Sequence, residues 1–206
     1  MRIRQRCFSK RWKAVTMIEI NLPYFSYDLV VCDPPWRFKT FSKKGLKKSP
    51  DAHYPTMSLK EIEALPIAHF LKPGGVLVLW GTWPMIGDQW ELIKKWGLKP
   101  VTGGSWAKRT KTGKLRWGPG YVLRSVCEPF LIGTLPGCRV RGPSCKNMVE
   151  TLSNVSLDGL AREHSRKPDE FYSLMERLVP DARRADIFAR QQRLGWDCWG
   201  NEVDRF

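Results

Sequence analysis

A buried strand that stops on two prolines limits this chain more than any other feature. Tyr27–Cys32, YDLVVC, is apolar and rich in β-branched residues, and it runs into Asp33-Pro34-Pro35-Trp36. Proline has no N–H and fixes φ, so a central strand ends where such a pair begins. A second strand-like run, Val76–Trp80 (VLVLW), follows an intervening helical pattern. That helix starts at a capping box, Ser58 with Glu61, with Met57 and Ile62 spaced for a hydrophobic staple. Lys72-Pro73-Gly74-Gly75 stops it, and Pro66 bends it or splits it in two. Pro84–Trp96 reads as a further helix, ended by Gly97. Strands alternating with helices predict an α/β fold with parallel strands and helices on both faces.

The second half is less regular. LKPVTGGSWAKRT and VCEPFLIGTL are strand-like and flank a basic stretch, so they predict a hairpin with a long tip. Pro136–Asp158 carries little periodicity and reads as loop. KPDEFYSLMERLVP reads as a helix, with Pro168 at its start, Asp169 and Glu170 on its N-terminal dipole, and an apolar stripe of Phe171, Leu174, Met175 and Leu178. RADIFAR is a strand, and LGWDCWGNEVDRF is a stretch of turn residues and aromatics. Residues 1–26 read as a basic N-terminal arm and 27–206 as one domain, since 206 residues hold one sizeable core.

The formal net charge of +15 exceeds what solubility requires and makes nucleic acid the leading partner, against the alternative of a basic protein without such a ligand. Ten tryptophans fit that reading, because bases stack on aromatic faces, although many of the ten belong to the core. The six cysteines form no CxxC pair and the three histidines are scattered, which argues against a zinc site, and a chain of this size argues against a disulfide framework. A reducing, cytoplasmic setting is expected. There is no signal-like or membrane-spanning run in the sequence.

Ligands bind outside the carboxyl ends of parallel strands, and Asp33 stands at such an end. A carboxylate there accepts hydrogen bonds from an amine, the Pro34 carbonyl offers a free second acceptor, Pro35 stiffens the turn, and Trp36 offers a flat face. Together they describe a receptor for an exocyclic amino group on an aromatic ring. The competing reading is a tight turn with a packed tryptophan.

Asp33-Pro34-Pro35-Trp36 after VVC resembles the signature of amino-group methyltransferases that modify adenine N6 with S-adenosylmethionine. HYPTMSLKEI, LVLWGTWP, WAKRTKTGK, RKPDEFYSLMERLVP, RADIFAR and GWDCWGNE follow in the order of the family of the catalytic subunit of the mRNA N6-adenosine methyltransferase complex, the MT-A family, which has bacterial and phage members. The resemblance implies a Rossmann-like methyltransferase fold, mostly parallel with an antiparallel hairpin. It is permuted, so that the catalytic motif precedes the cofactor motif. It also implies S-adenosylmethionine as cofactor, S-adenosylhomocysteine as product, and no metal. Asp33, Pro34, Pro35 and Trp36 become catalytic, with Asp33 also on the cofactor side. Lys167 reaches the methionine part, Arg190, Gln191 and Gln192 lie by the ribose and adenine, and Asn201 and Glu202 meet the ribose hydroxyls. The sequence departs from relatives in two places. It has ARQQ where some carry an RPHN-like end, and upstream of the motif only Met17-Ile18-Glu19-Ile20 stands near the position of the usual adenine contact.

On the nucleic-acid side, Arg37–Pro55 is a candidate gate, with Lys43, Lys44, Lys47 and Lys48 for phosphates and Tyr54 lining the base pocket together with Trp36. The hairpin tip adds Lys108, Arg109, Lys111, Lys114 and Arg116 beside Trp117, for nucleic acid or for subunit contacts. The expected substrate is DNA before RNA, since the chain is short and shows no added RNA-binding module. A catalytically silent nucleic-acid-binding subunit is the reading from another class. A homodimer and a separate partner subunit are both open.

Overall fold

The computed structural model describes residues 18–37, 55–110, 112–118, 122–138, 148–150 and 166–205. Its strands are β1 (Tyr27–Cys32), β2 (Leu71–Trp80), β3 (Lys99–Ala107), β4 (Cys127–Thr134), β5 (Met148–Glu150), β6 (Arg184–Ile187) and β7 (Trp196–Trp199). They form one seven-stranded sheet in the order β5-β3-β4-β2-β1-β6-β7. Every neighbouring pair is parallel except those made by β4, which runs against both β2 and β3. The expected mostly parallel sheet with an antiparallel hairpin is what forms.

Alternation along the strands sends side chains to two cores. On one face Val30, Cys32, Leu77, Leu79 and Ile187 pack with Ile62 of α1 (Leu59–Glu63) and with Leu92 and Ile93 of α2 (Ile86–Lys95). On the other, Leu29, Val31, Val76, Val78 and Trp80 meet Phe171, Tyr172, Leu174 and Met175 of α3 (Asp169–Leu178). Both faces are thus covered, which is why the central strands read as unbroken apolar runs.

The Ser58–Glu61 capping box starts α1, and Pro66 does split the expected helix: α1 ends at Glu63 and a separate 3₁₀ turn spans Ile67–Phe70. Pro168 stands one position before α3, as its N-cap. Gly97, at φ +83°, closes the segment after α2 in the left-handed region that glycine occupies without strain.

Four expectations change. β2 begins at Leu71, not Val76: Leu71 pairs with Tyr27 and Val76 with Leu29, so Lys72–Gly75 bulges out of a continuing strand instead of preceding it. The aromatic C-terminal stretch holds a strand, β7, because Trp196 to Trp199 finds an open parallel edge on β6. Part of the Pro136–Asp158 loop is β5, a short edge strand on β3, while 139–147 and 151–158 lie outside the described residues. Residues 1–17 lie outside them too, but Ile20 is buried in the core, so the packed unit starts before residue 27. No helix among the described residues is long and apolar enough to cross a membrane.

Candidate active site

β1 delivers Asp33 to the carboxyl edge of the sheet, where its N–H donates to the Ile187 carbonyl of β6 at 3.1 Å. The motif after it is tied down by the backbone. Trp36 N–H donates to the Pro34 carbonyl at 2.8 Å, Met57 N–H donates to the Pro35 carbonyl at 2.8 Å, and Arg37 N–H donates to the Met57 carbonyl at 3.0 Å. This corrects the expectation of a free Pro34 carbonyl, since a tight turn takes up one of its two lone pairs. It also corrects the expectation for Trp36. Its ring is only 4% exposed, it packs in the core, and its indole N–H donates to the Trp80 carbonyl at 3.0 Å. Trp36 pins the turn to β2 and leaves no open face for a substrate ring.

Asp33 opens onto a cleft lined by Arg166, Lys167, Tyr172, Asp186, Phe188, Ala189, Arg190, Gln191 and Arg193. Lys167, just before α3, sets its Nζ 2.7 Å from Asp33 Oδ2 and 3.4 Å from Glu128 Oε2, with the ammonium 4.8 Å from the centre of the Trp80 ring. Glu128, from β4, also pairs with Lys108. Burial pushes the Glu128 carboxyl upward, but Lys167 and Lys108 outweigh it and hold the group at about 2. A chain of alternating charge therefore runs Asp33, Lys167, Glu128, Lys108 from the motif to the base of the hairpin.

The opposite wall comes from the end of β6. Phe188 takes φ +68°, in the left-handed region that favours glycine, and its ring meets Trp199 edge-on at 5.4 Å. The turn after β7 packs closely here: a Cβ on Gly200 would sit 2.3 Å from the Ala189 carbonyl oxygen. That packing places Glu202 Oε2 3.0 Å from Arg190 Nη1. Gln191 Oε1 is buried beside the cleft and has no hydrogen-bond partner among the described residues.

The sequence placed these residues with mixed success. Asp33, Lys167, Arg190 and Gln191 come together in the cleft, and Glu202 joins them through Arg190. Gln192 and Asn201 are exposed and line no part of it. Lys108 and Arg109 turn inward, Lys108 onto Glu128 and Arg109 onto the Gly113 carbonyl at 2.9 Å, while Lys114, Arg116 and Trp117 stay exposed. Lys43, Lys44, Lys47, Lys48, Tyr54 and Lys111 lie outside the described residues. Glu128, Tyr172, Asp186 and Arg193 were missed. Asp186 did leave a signal, an acid in the middle of an apolar strand.

The mostly parallel sheet with its antiparallel pair agrees with the fold that the methyltransferase resemblance implies. The MT-A70 family model matches residues 27–202, which covers every strand and the whole cleft. The chain belongs to the MT-A70 family. It is 32% identical over 186 residues to the N6-methyladenosine RNA methyltransferase MTA1 of Cryphonectria parasitica, a match covering 87% of this chain and 52% of that protein. It is 26% identical to the human N(6)-adenine-specific methyltransferase METTL4, over 88% of this chain and 38% of the relative. The type II methyltransferase M.MunI of Mycoplasma is also 26% identical, over 89% of this chain and 80% of the relative. This MT-A70 chain therefore spans about half or less of the length of the fungal and human relatives.

Proposed function

We propose that this chain transfers a methyl group from S-adenosylmethionine to the N6 amino group of adenine in nucleic acid, with DNA as its substrate. The supporting observation is the shared cleft. Asp33 sits at the strand end beside Lys167, Arg190 and a Gln191 oxygen that has no hydrogen-bond partner among the described residues. That donor and acceptor set fits an amino-acid end at Lys167 and Asp33 and a nucleoside end at Gln191, Arg190 and Glu202. When bound, the cofactor supplies a methyl group activated on a sulfonium.

The residues of the chain then do the positioning. Adenine N6 is a weak nucleophile because its lone pair is delocalised into the ring. Asp33 and the remaining lone pair of the Pro34 carbonyl accept from the two N6 hydrogens and direct that lone pair toward the methyl. With the cofactor bound, Asp33 would accept one N6 proton as the amine is methylated and release it to water. Trp36 holds both acceptors in place through the Trp80 carbonyl. Orientation of this kind is worth on the order of 7–11 kcal/mol in well-aligned systems. A duplex adenine has to leave the stack to reach Asp33, and the exposed Lys114 and Arg116 of the hairpin would meet its phosphates.

RNA is the second reading, favoured by the similarity to the fungal N6-methyladenosine RNA methyltransferase. The test is labelled methyl transfer to matched DNA and RNA oligonucleotides, each single- and double-stranded. Label is expected in DNA, and Asp33→Ala is expected to reduce it by at least about 10²-fold. Label in RNA alone would move the substrate to RNA. Label in none of the four, with protein that binds cofactor, would leave the silent-subunit reading.

A further inference from the structure

Asp186 is the acid in the cleft that the proposed chemistry does not use. It sits on β6 opposite Val31 of β1 and Cys198 of β7 and is 3% exposed. Its Oδ2 accepts from the Tyr172 hydroxyl of α3 at 2.7 Å. Every cation lining the cleft near it is held by another acid. Lys167 is on Asp33 and Glu128, Arg190 is on Glu202, Arg193 is on Asp169 at 2.5 Å, and Arg166 is on Asp169 at 3.7 Å. Arg193 also stacks on the Tyr172 ring at 3.6 Å, which fixes its guanidinium there. Among the described residues Asp186 has no ion pair of its own, although it lines the same cleft as Asp33.

A buried carboxylate without a counter-ion is costly, so the group takes up a proton. Burial raises Asp186, the Tyr172 hydrogen bond and the charge of Arg193 lower it, Asp33 raises it, and Lys167 lowers it, leaving it at about 7. Cys198 on β7 is its partner across the sheet, while Cys32 on β1 points to the opposite face, and both thiols are pushed up, chiefly by burial. At neutral pH Asp186 is therefore divided between neutral and charged forms, and a cation placed beside it decides between them.

We propose that Asp186 is a further binding residue of the cofactor site: its carboxylate is the counter-ion for the ammonium at the methionine end, so that cofactor binding expels the Asp186 proton to solvent. This rests on the cofactor reading above. Lys167 can meet the carboxylate of an amino acid, and Asp186 meets its ammonium, so the pair reads a zwitterion. Asp33 then borders the methionine end through Lys167 and keeps an oxygen for the substrate amine. The balance is simple: one carboxyl becomes a carboxylate, and buffer takes the proton.

The test is calorimetry of the full chain with S-adenosylhomocysteine at pH 6.5, in two buffers of different ionisation enthalpy. Wild type is expected to release a substantial fraction of one proton on binding. Its affinity is expected to rise roughly tenfold from pH 5.5 to 7 and then level off, as linkage to a group near neutrality requires. Asp186→Asn keeps an oxygen for the Tyr172 hydroxyl, and its fold is checked by thermal unfolding. It is expected to bind without proton release and with a flat pH profile, about tenfold weaker than wild type at pH 7.5. A ligand lacking the amino group is expected to release no proton from wild type. Asp33→Asn is expected to keep the pH slope. Tight binding by wild type without proton release, or a slope unchanged in Asp186→Asn, would overturn the role of Asp186. Absence of any binding by folded wild type would instead overturn the cofactor reading.

Discussion

At the scale of single residues, the motif turns out to divide its labour. Asp33 faces the cleft, and Trp36 faces the core. The ring of Trp36 is 4% exposed and its N–H is used by Trp80, so Trp36→Ala removes a large buried group and a buried hydrogen bond together. The expected loss is about 3–5 kcal/mol, read from urea unfolding. If the ring instead acted as an open stacking face, stability would hardly change and nucleic-acid binding alone would fall. Asp33, Lys167 and Arg190 were legible in the sequence because their segments keep a family order. Glu128 and Arg193 were not, and Asp186 showed only as an acid in an apolar strand, without its role. Their roles depend on which charges the fold brings opposite them, and no spacing along the chain records that Glu128 of β4 meets Lys167 39 residues later. The inward turn of Trp36 was equally hidden: a strand-end tryptophan can face either way until β2 is placed beside it.

At the scale of elements, glycines decide how closely the layers approach. Gly133 lies on β4 opposite Leu77 of β2 and Pro100 of β3. A Cβ there would come 2.5 Å from Cγ2 of Ile93, which is fully buried on α2, and 3.4 Å from Cβ of Leu98. Neither neighbour is the free end of a mobile side chain. Gly133→Ala is expected to push α2 off the sheet and cost about 1–3 kcal/mol, seen as a lower urea midpoint with an unchanged slope. An unchanged midpoint would mean that α2 yields without penalty. The same scale explains which elements could be read in advance. β1, α2 and α3 carry unbroken apolar runs or full helical stripes bounded by breakers. β7 is four residues whose side chains are mostly half-buried, and β5 is three residues on an edge. Such short strands exist because a neighbour offers an edge, so their own sequence says little.

At the scale of the whole molecule, the question is where the net charge of +15 acts. Several cations are already committed inside: Lys108, Lys167, Arg190 and Arg193 hold acids in or beside the cleft. They build the site and are poorly placed to meet phosphates. The excess must therefore be carried by the others, which include the exposed Lys114 and Arg116 of the hairpin. Phosphate contacts release counterions, by about 0.9 per contact on duplex DNA and about 0.7 on a single strand. Four or more such contacts give a slope of log affinity against log salt of about −3 or steeper. Binding of a DNA oligonucleotide, followed by fluorescence anisotropy, is then expected to weaken at least about 50-fold between 50 and 200 mM salt. Cofactor binding, held by enclosed groups, is expected to change far less over the same range, because enclosed pairs are screened less than exposed ones. If both affinities fell in parallel, the cleft cations would be the ones exposed to solvent and phosphate. The separation between an internal set of charges that orders the site and an external set that gathers substrate would then not hold.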